Sequence, residues 1–319
     1  MAVTRVVVTG ATGHLGRQVV RALAARDLDV VAISRSGALP EPPFAAADRR
    51  GAGTITARAI DLEREQTTPE LSELLGPGSA LVHLAAWHPP ATANTGPDDR
   101  RRLMAANVYG TMRVLEAARL RPTACVVYAS TFEVYGLPEG PGPVDESARL
   151  NPVSDYGATK LAGEDHLLAF AYEERTRVVA LRMPAIYGPG EITSRALPNF
   201  LRQVARGERP RVLGTGADLR DQLHVRDASL AVERALFGEA SGIFNVADGA
   251  AHSIAELART AMQVAGMSGE PEQAPSQKPG YDFHMSIDKA RRELGFEPGV
   301  RLAEGMAEQL AWLRSRAQA

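Results

Sequence analysis

The chain has 319 residues, 45% of them hydrophobic and 23% charged, with a formal net charge of -2 at pH 7. That length supports a large core near the upper size of one domain, so a large domain with a smaller appendage is expected. The charge balance gives no electrostatic basis for binding nucleic acid or an anionic membrane. No basic and then apolar leader opens the chain, and no apolar run approaches the ~20 residues of a membrane span, so a cytoplasmic protein without a membrane partner is expected. One cysteine, Cys125, lies in an apolar run and rules out a disulfide framework, and the seven histidines are scattered without metal-type spacing, so no metal is expected.

The first stretch with chemical content runs from Val6 to Gly16, a β-branched run that turns through Gly10, Gly13 and Gly16 into a helical pattern over Arg17 to Arg26. Strand, Gly-x-x-Gly-x-x-Gly turn and helix together suit a dinucleotide pyrophosphate. Glycines let the backbone approach the phosphates, and the helix start at Thr12, His14 and Leu15 offers N–H groups and a favourable dipole. The same turn elsewhere serves packing alone. Asp29 to Ser34 reads as a second strand. An acidic residue that would bind the adenosine ribose is expected at its end, where Ser34-Arg35 stands instead. A guanidinium in that place can pair with a 2′-phosphate, which leans the cofactor toward NADP over NAD. Arg35 as a solvated residue, or stacked on adenine, leaves NAD open.

Residues 37–53 read as a surface loop rich in Gly, Pro and Ala, followed by a strand from Thr54 to Ile60 that ends in Asp61-Leu62. Pro69 to Leu75 reads as a helix, and Ser79 to Leu84 as a strand buried on both faces of a parallel sheet. After His83-Leu84-Ala85-Ala86 comes Trp87-His88-Pro89-Pro90 and a polar loop to Asp98. A stiff loop carrying an aromatic and an imidazole at the carboxyl end of a strand is placed to touch substrate, or else is exposed with Trp87 packed on the core. Arg100 to Ala118 reads as one long helix containing Asn107. A strand from Ala124 to Ala129 then leads into Ser130-Thr131-Phe132-Glu133.

The segment from Pro152 to Lys160 begins a further helix that reaches Tyr172. Tyr156 and Lys160 are four apart and share one face, so the ammonium can lie near the phenol. A phenol of pKa ~10 is a poor base at neutral pH, and a nearby cation favours its ionised form. Tyr156 can then take a proton from an alcohol as hydride leaves for a nicotinamide, or return it in the reverse direction. The hydroxyl of Thr131, with Ser130 behind it, is the group expected to hold the substrate oxygen.

With these motifs, the chain resembles the extended short-chain dehydrogenases/reductases of the nucleotide-sugar epimerase/dehydratase type. The likeness spans essentially the whole length, through Leu181-Arg182-Met183-Pro184-Ala185-Ile186-Tyr187-Gly188, Arg220-Asp221-Gln222-Leu223-His224-Val225 and Phe244-Asn245-Val246. The resemblance implies an α/β fold: a Rossmann-type doubly wound parallel sheet over 1–180 and a smaller α/β substrate domain mainly over 181–319, with segments near 211–250 partly returning to the first. It implies that Asp61 faces the adenine amino group, where a turn or cap role is the alternative. It places Leu84, Ala85 and Ala86 beneath the cofactor, and Pro184 beside the nicotinamide amide. Asn107 would hold a helix distortion and a water near Lys160, or else simply face solvent. Arg220 would pair with a substrate diphosphate, or else form an ion pair with Asp221 or Asp218. Asp227 reads as a helix N-cap. The two long helices would pair across a two-fold to make a homodimer.

Two departures bear on the reaction. Dehydratases of this type carry an aspartate and a glutamate after the threonine; here Phe132 precedes Glu133, and an aromatic cannot protonate a leaving hydroxyl, so dehydration is disfavoured. Glu133 remains as a second acid or base, or as a buried hydrogen-bond anchor. Ala185 replaces the asparagine usual in nucleotide-sugar enzymes and leaves room for a smaller substrate. The expected function is therefore NAD(P)-dependent 4-epimerisation or 4-ketoreduction of a nucleotide sugar. NADPH-dependent reduction of another carbonyl compound is the alternative, and a non-catalytic nucleotide sensor a more remote one.

Overall fold

The computed structural model describes residues 3–38, 53–89, 95–138, 140, 142–276 and 280–317. Most of the expected surface loop at 37–53, and Pro90, lie outside them. In chain order the first half runs β1 (Arg5–Thr9), α1 (His14–Ala24), β2 (Asp29–Ser34), β3 (Thr54–Ala59), α2 (Thr67–Ser72), β4 (Ser79–His83), α3 (Pro97–Leu103), α4 (Gly110–Leu120), β5 (Cys125–Thr131), α5 (Asp155–Glu174) and β6 (Arg177–Met183). The second half runs β7 (Ala185–Tyr187), α6 (Ala196–Ala205), β8 (Arg211–Leu213), β9 (Leu219–Arg220), β10 (Gln222–His224), α7 (Val225–Phe237), β11 (Gly242–Asn245), β12 (His252–Ser253), α8 (Ile254–Val264), β13 (Glu272–Ala274) and α9 (Leu302–Ala317).

Alternation of short apolar strands with helices can bury both faces of a sheet only if the strands run parallel and the helices cover both sides. The main sheet does this, with seven strands in the order β3-β2-β1-β4-β5-β6-β11, each neighbouring pair parallel. One apolar layer gathers Val19, Val20 and Leu23 of α1 with Val232 and Leu236 of α7. The opposite layer gathers Leu71 of α2, Val114 and Leu115 of α4, and Leu167 and Phe170 of α5. The strand order reverses between β1 and β4, so the loops leaving those two strands part and open a crevice at their carboxyl ends.

The sheet draws β11 from far along the chain, in register with β6 from Gly242 on Val179 to Asn245 on Arg182. The smaller lobe joins α6, α8 and α9 around Phe200, Leu201, Leu257 and Met306, with two-stranded pieces β7–β10, β9–β12 and β8–β13. Among the described residues no helix is long and apolar enough to cross a membrane, and no group of three or more His, Cys, Asp and Glu is arranged to hold a metal ion.

The expected long helix over Arg100 to Ala118 is present, with a distortion at Asn107. It is α3, a π-helical turn over Met104–Tyr109, and α4. Asn107 is buried in that turn, where its amide bonds outward to other segments. Asp227 is corrected. His224 caps α7 by accepting from the Arg226 N–H, while the Asp227 carboxylate accepts the Gly299 and Val300 N–H groups at 3.0 Å each and ties the C-terminal segment to α7.

Candidate active site

The glycine turn closes over the crevice. Gly10 has φ +70°, and a Cβ there would come 2.6 Å from the Ala85 nitrogen of the loop after β4, so only glycine lets the two loops meet. A Cβ at Gly16 would collide with the Gly10 carbonyl, which is how α1 comes to start flush against the turn. Its N-cap, Gly13, brings no side-chain acceptor, so the first-turn N–H groups at His14, Leu15 and Gly16 remain open to an anion. In front of them lies a cavity of ≈ 250 Å³ lined by Gly10, Thr12, Gly13, Ser34, Arg35, Asp61, Leu62, Leu84, Ala85, Ala86 and Trp87. With Arg35 rather than a carboxylate after β2, Asp61 and Glu63 after β3, and open N–H groups at its glycine end, this cradle fits a dinucleotide.

Of the expected cofactor residues, His14 and Leu15 present only backbone to the cradle. Leu15 is buried in the core, and the His14 ring turns to the other side of α1, toward Pro189 and Gly190. The Asp61 carboxylate also caps its own turn, accepting from the Glu63 N–H at 3.1 Å.

Beneath the crevice runs a buried chain of polar groups. Thr111 Oγ1 donates to the Asn107 carbonyl at 2.6 Å and so accepts from His83 Nε2 at 3.0 Å. His83 Nδ1 then accepts from Thr9 Oγ1 at 2.6 Å. Burial holds the His83 imidazole neutral, pushed down to about 3, with the Lys160 charge adding to the effect. Asn107 accepts from the Trp87 N–H at 2.7 Å and donates to the Trp87 carbonyl at 2.9 Å and to Thr159 Oγ1 at 3.1 Å. Its amide thus joins the loop after β4 to the helix of Tyr156 and Lys160.

Helix α5 starts at Ser154, whose hydroxyl accepts from the Gly157 N–H at 2.9 Å and donates to Glu133 Oε2 at 2.6 Å. Tyr156 opens onto a second cavity of ≈ 780 Å³ in which His88, Phe132, Glu133, Pro184, Arg195 and Arg220 also stand. The His88 ring lies against the phenol, with centroids 4.6 Å apart. Lys160 is buried behind, its ammonium 3.9 Å over the Tyr128 ring.

The simple expectation that the ammonium acidifies the phenol does not describe these two groups without cofactor. Burial pushes Tyr156 up to about 12, with the Glu133 carboxylate adding to it, while burial pushes Lys160 down to about 7 against the pull of Glu164. Desolvation outweighs the opposing charges, Arg195 acting on the phenol and Glu164 on the ammonium, because both groups lose their water.

Thr131 ends β5, buried, with its Oγ1 accepting from the Glu133 N–H at 3.3 Å. Ser130, on the opposite face of the strand, leaves the site: its hydroxyl donates to buried Glu164. Arg220 is steadied by the carbonyls of Leu219 and Tyr281, over the Tyr281 ring at 4.2 Å, and lies 3.7 Å from Asp218. Asp221 does not pair with it, and accepts from the Met285 N–H at 2.6 Å. Sequence reasoning missed Arg195, which approaches Glu133 Oε1 at 3.5 Å, and Phe283, which packs on Phe132 at 4.9 Å. Neither sits in a motif. It also missed the buried Glu164–Arg182 pair, for which an arginine inside an apolar strand was a visible signal.

A glycine turn at the switch point of a doubly wound sheet, with a tyrosine and a buried lysine one turn apart beside it, defines a nicotinamide-dependent short-chain dehydrogenase/reductase. The chain belongs to the NAD dependent epimerase/dehydratase family, whose model matches residues 6–247, and it is an enzyme of the extended branch. It is 32% identical over 317 residues to a dTDP-glucose 4,6-dehydratase of Streptomyces griseus, covering 97% of this chain and 94% of that one. It is 31% identical over 325 residues to a UDP-glucose 4-epimerase of Mycolicibacterium smegmatis, covering 98% and 100%. Among solved structures it is similar to MoeE5 in complex with UDP-glucose and NAD, at 29% identity and a TM-score of 0.81 over 99% and 100% of the two chains.

Proposed function

We propose that the protein interconverts a secondary alcohol and a ketone at position 4 of a nucleotide sugar, as a 4-epimerase or 4-ketoreductase. The observation that carries this reading is that Tyr156 opens onto a cavity of ≈ 780 Å³ holding the cations Arg195 and Arg220. That volume lies high in the ~300–1,000 Å³ range of organic ligand sites, more than a small ketone fills. The relatives named above act on, or hold, nucleotide-linked glucose, which supports the same substrate class.

When bound, NAD(P) supplies the hydride acceptor or donor and, when oxidised, a positive charge near the phenol. Tyr156 takes the proton from the substrate hydroxyl or returns it to the ketone oxygen, and the Thr131 hydroxyl steadies that oxygen. Lys160 stands behind the phenol and favours its ionised form whenever it is protonated. Asn107 fixes the loop after β4 against α5, and Arg220 takes the diphosphate as a forked donor. Phe132, packed on Phe283, occupies the place where a dehydratase needs an acid, and Glu133 is anchored by Ser154 and Arg195. Both features favour reversible redox chemistry over loss of water. The Arg35 edge supports use of NADP alongside NAD. Apolar side chains exposed on α3–α4 and α5 support a homodimer.

The test incubates the purified protein with UDP-glucose and dTDP-glucose, and with their 4-keto forms plus NADPH or NADH, and follows sugar configuration and cofactor absorbance. Turnover of one of these, lowered at least ~100-fold by Tyr156→Phe with cofactor affinity retained, is expected. Full activity in Tyr156→Phe would remove the tyrosine from the chemistry.

A further inference from the structure

A third cavity, of ≈ 480 Å³, lies on the far side of α1 from the dinucleotide cradle, between α1, the loop after β7, the start of α7, and α9. Its walls carry His14, Arg17 and Arg21 of α1, His224 and Arg226 at the start of α7, and Glu308 and Trp312 of α9. None of the roles assigned above uses it.

Arginines outnumber carboxylates among the residues that line it. Arg226 is compensated twice, by Glu304 at 2.8 Å and Glu308 at 2.7 Å. Arg17 is half-buried, yet among the described residues its one hydrogen bond goes to the Gly190 carbonyl at 3.4 Å. The charge acting on it is another cation, Arg316, which lies over the Trp312 ring at 5.5 Å. A half-buried guanidinium with a second cation acting on it raises the free energy of the unliganded protein, and an anion lowers it.

A second, independent observation comes from His224, which is 1% exposed. Its Nδ1 accepts from the Arg226 N–H at 3.4 Å, which puts the ring proton on Nε2. Nε2 has no hydrogen-bond partner, and the nearest carboxylate oxygen, on Glu308, is 3.7 Å away. Burial, with the Arg226 charge adding to it, pushes this imidazole down to about 4, so it presents a neutral N–H donor. A buried donor without an acceptor is destabilising, and a ligand oxygen removes that cost. His14 Nε2 is likewise buried and unpartnered at the same wall.

We infer that this cavity is a second anion site, separate from the cofactor cradle and the substrate cavity, that takes a phosphate dianion, free or carried on a small ester. Arg17 on the wall supplies the charge, with Arg316 adding to it from beside Trp312, His224 Nε2 a neutral donor, and Trp312 an apolar wall for the remainder of an ester. A multi-oxygen dianion matches several donors of fixed direction better than a single carboxylate does.

The test titrates the full chain, saturated with NAD, with inorganic phosphate and separately with phenyl phosphate, by calorimetry at constant ionic strength. Saturable binding is expected, weakened at least tenfold by Arg17→Gln and by Arg316→Gln and changed less than twofold by Arg220→Gln. Phenyl phosphate binding tighter than phosphate identifies an ester as the ligand, and equal affinities identify the free ion. Heats that do not saturate with either probe overturn the inference. So does binding insensitive to both arginine variants, or lost in Arg220→Gln, which would place the anion in the substrate cavity. Arg316 is exposed, so its variant reports even where Arg17→Gln lowers the yield of folded protein.

Discussion

At the scale of single residues, identity and environment separate. Tyr156 and Lys160 are recognisable four apart on a helix, but whether the phenol is acidic depends on how much water each has lost, and burial moves both toward their neutral forms. Arg35 is the reverse case, since its place at the end of the second strand is visible in the chain and its exposure leaves the guanidinium open to a ligand. Arg35→Ala is expected to weaken NADP by roughly 10–100-fold, the loss of one charge-assisted contact of about 1.5–3 kcal/mol, and NAD by less than threefold. Equal losses for the two cofactors in a fluorescence titration would show that Arg35 does not meet the 2′-phosphate.

At the scale of elements, the helical stretch before β5 and the buried pair joining α5 to β6 owe their form to contacts between distant segments. The apolar spacing of 100–118 is helical and so predicts a helix. The wide turn at Met104–Tyr109 goes with bonds from Asn107 to Trp87 and Thr159, twenty and fifty-two residues away in sequence. The α5 helix is likewise legible, but the partner of its Glu164 is not. Glu164 meets Arg182 of β6 at 2.7 Å with both side chains almost fully buried, and Ser130 and Tyr135 complete the group. Truncating one partner leaves the other charge buried and unpaired, so Glu164→Ala is expected to lower stability by about 3–5 kcal/mol in urea unfolding, and Glu164→Leu with Arg182→Met by less than either single change. Additive losses in the double variant would contradict the pairing. Ser130 was expected at the substrate and belongs to this group instead, because alternate residues of a strand face opposite sides.

At the scale of the whole molecule, one surface still calls for a partner. Met104, Tyr109, Met112 and Leu120 on the outer side of the α3–α4 unit, with Leu168 and Tyr172 on α5, are exposed on helices that pack against each other. Apolar groups gathered in this way mark an association surface, and in the homodimer proposed above a second copy related by a two-fold would pair the four helices. Sedimentation equilibrium is expected to give twice the chain's mass, and the paired change Leu168→Glu with Tyr172→Glu to give the monomer. A monomer for the unaltered chain at micromolar concentration would exclude this interface.

The chain by itself determined the alternation of strands and helices, the glycine turn, and the placing of Tyr156 and Lys160 one turn apart on a helix. Each of these is written in local spacing and in the conformational limits of single residues. Only the tertiary structure decided which groups are dry, which way His14 and Ser130 face, that Arg195 and Phe283 join the cavity at Tyr156, and that Arg17 and His224 share the wall of a separate one. Those facts depend on contacts between segments far apart in sequence, and burial and electrostatic balance are properties of the packed assembly that no local pattern encodes.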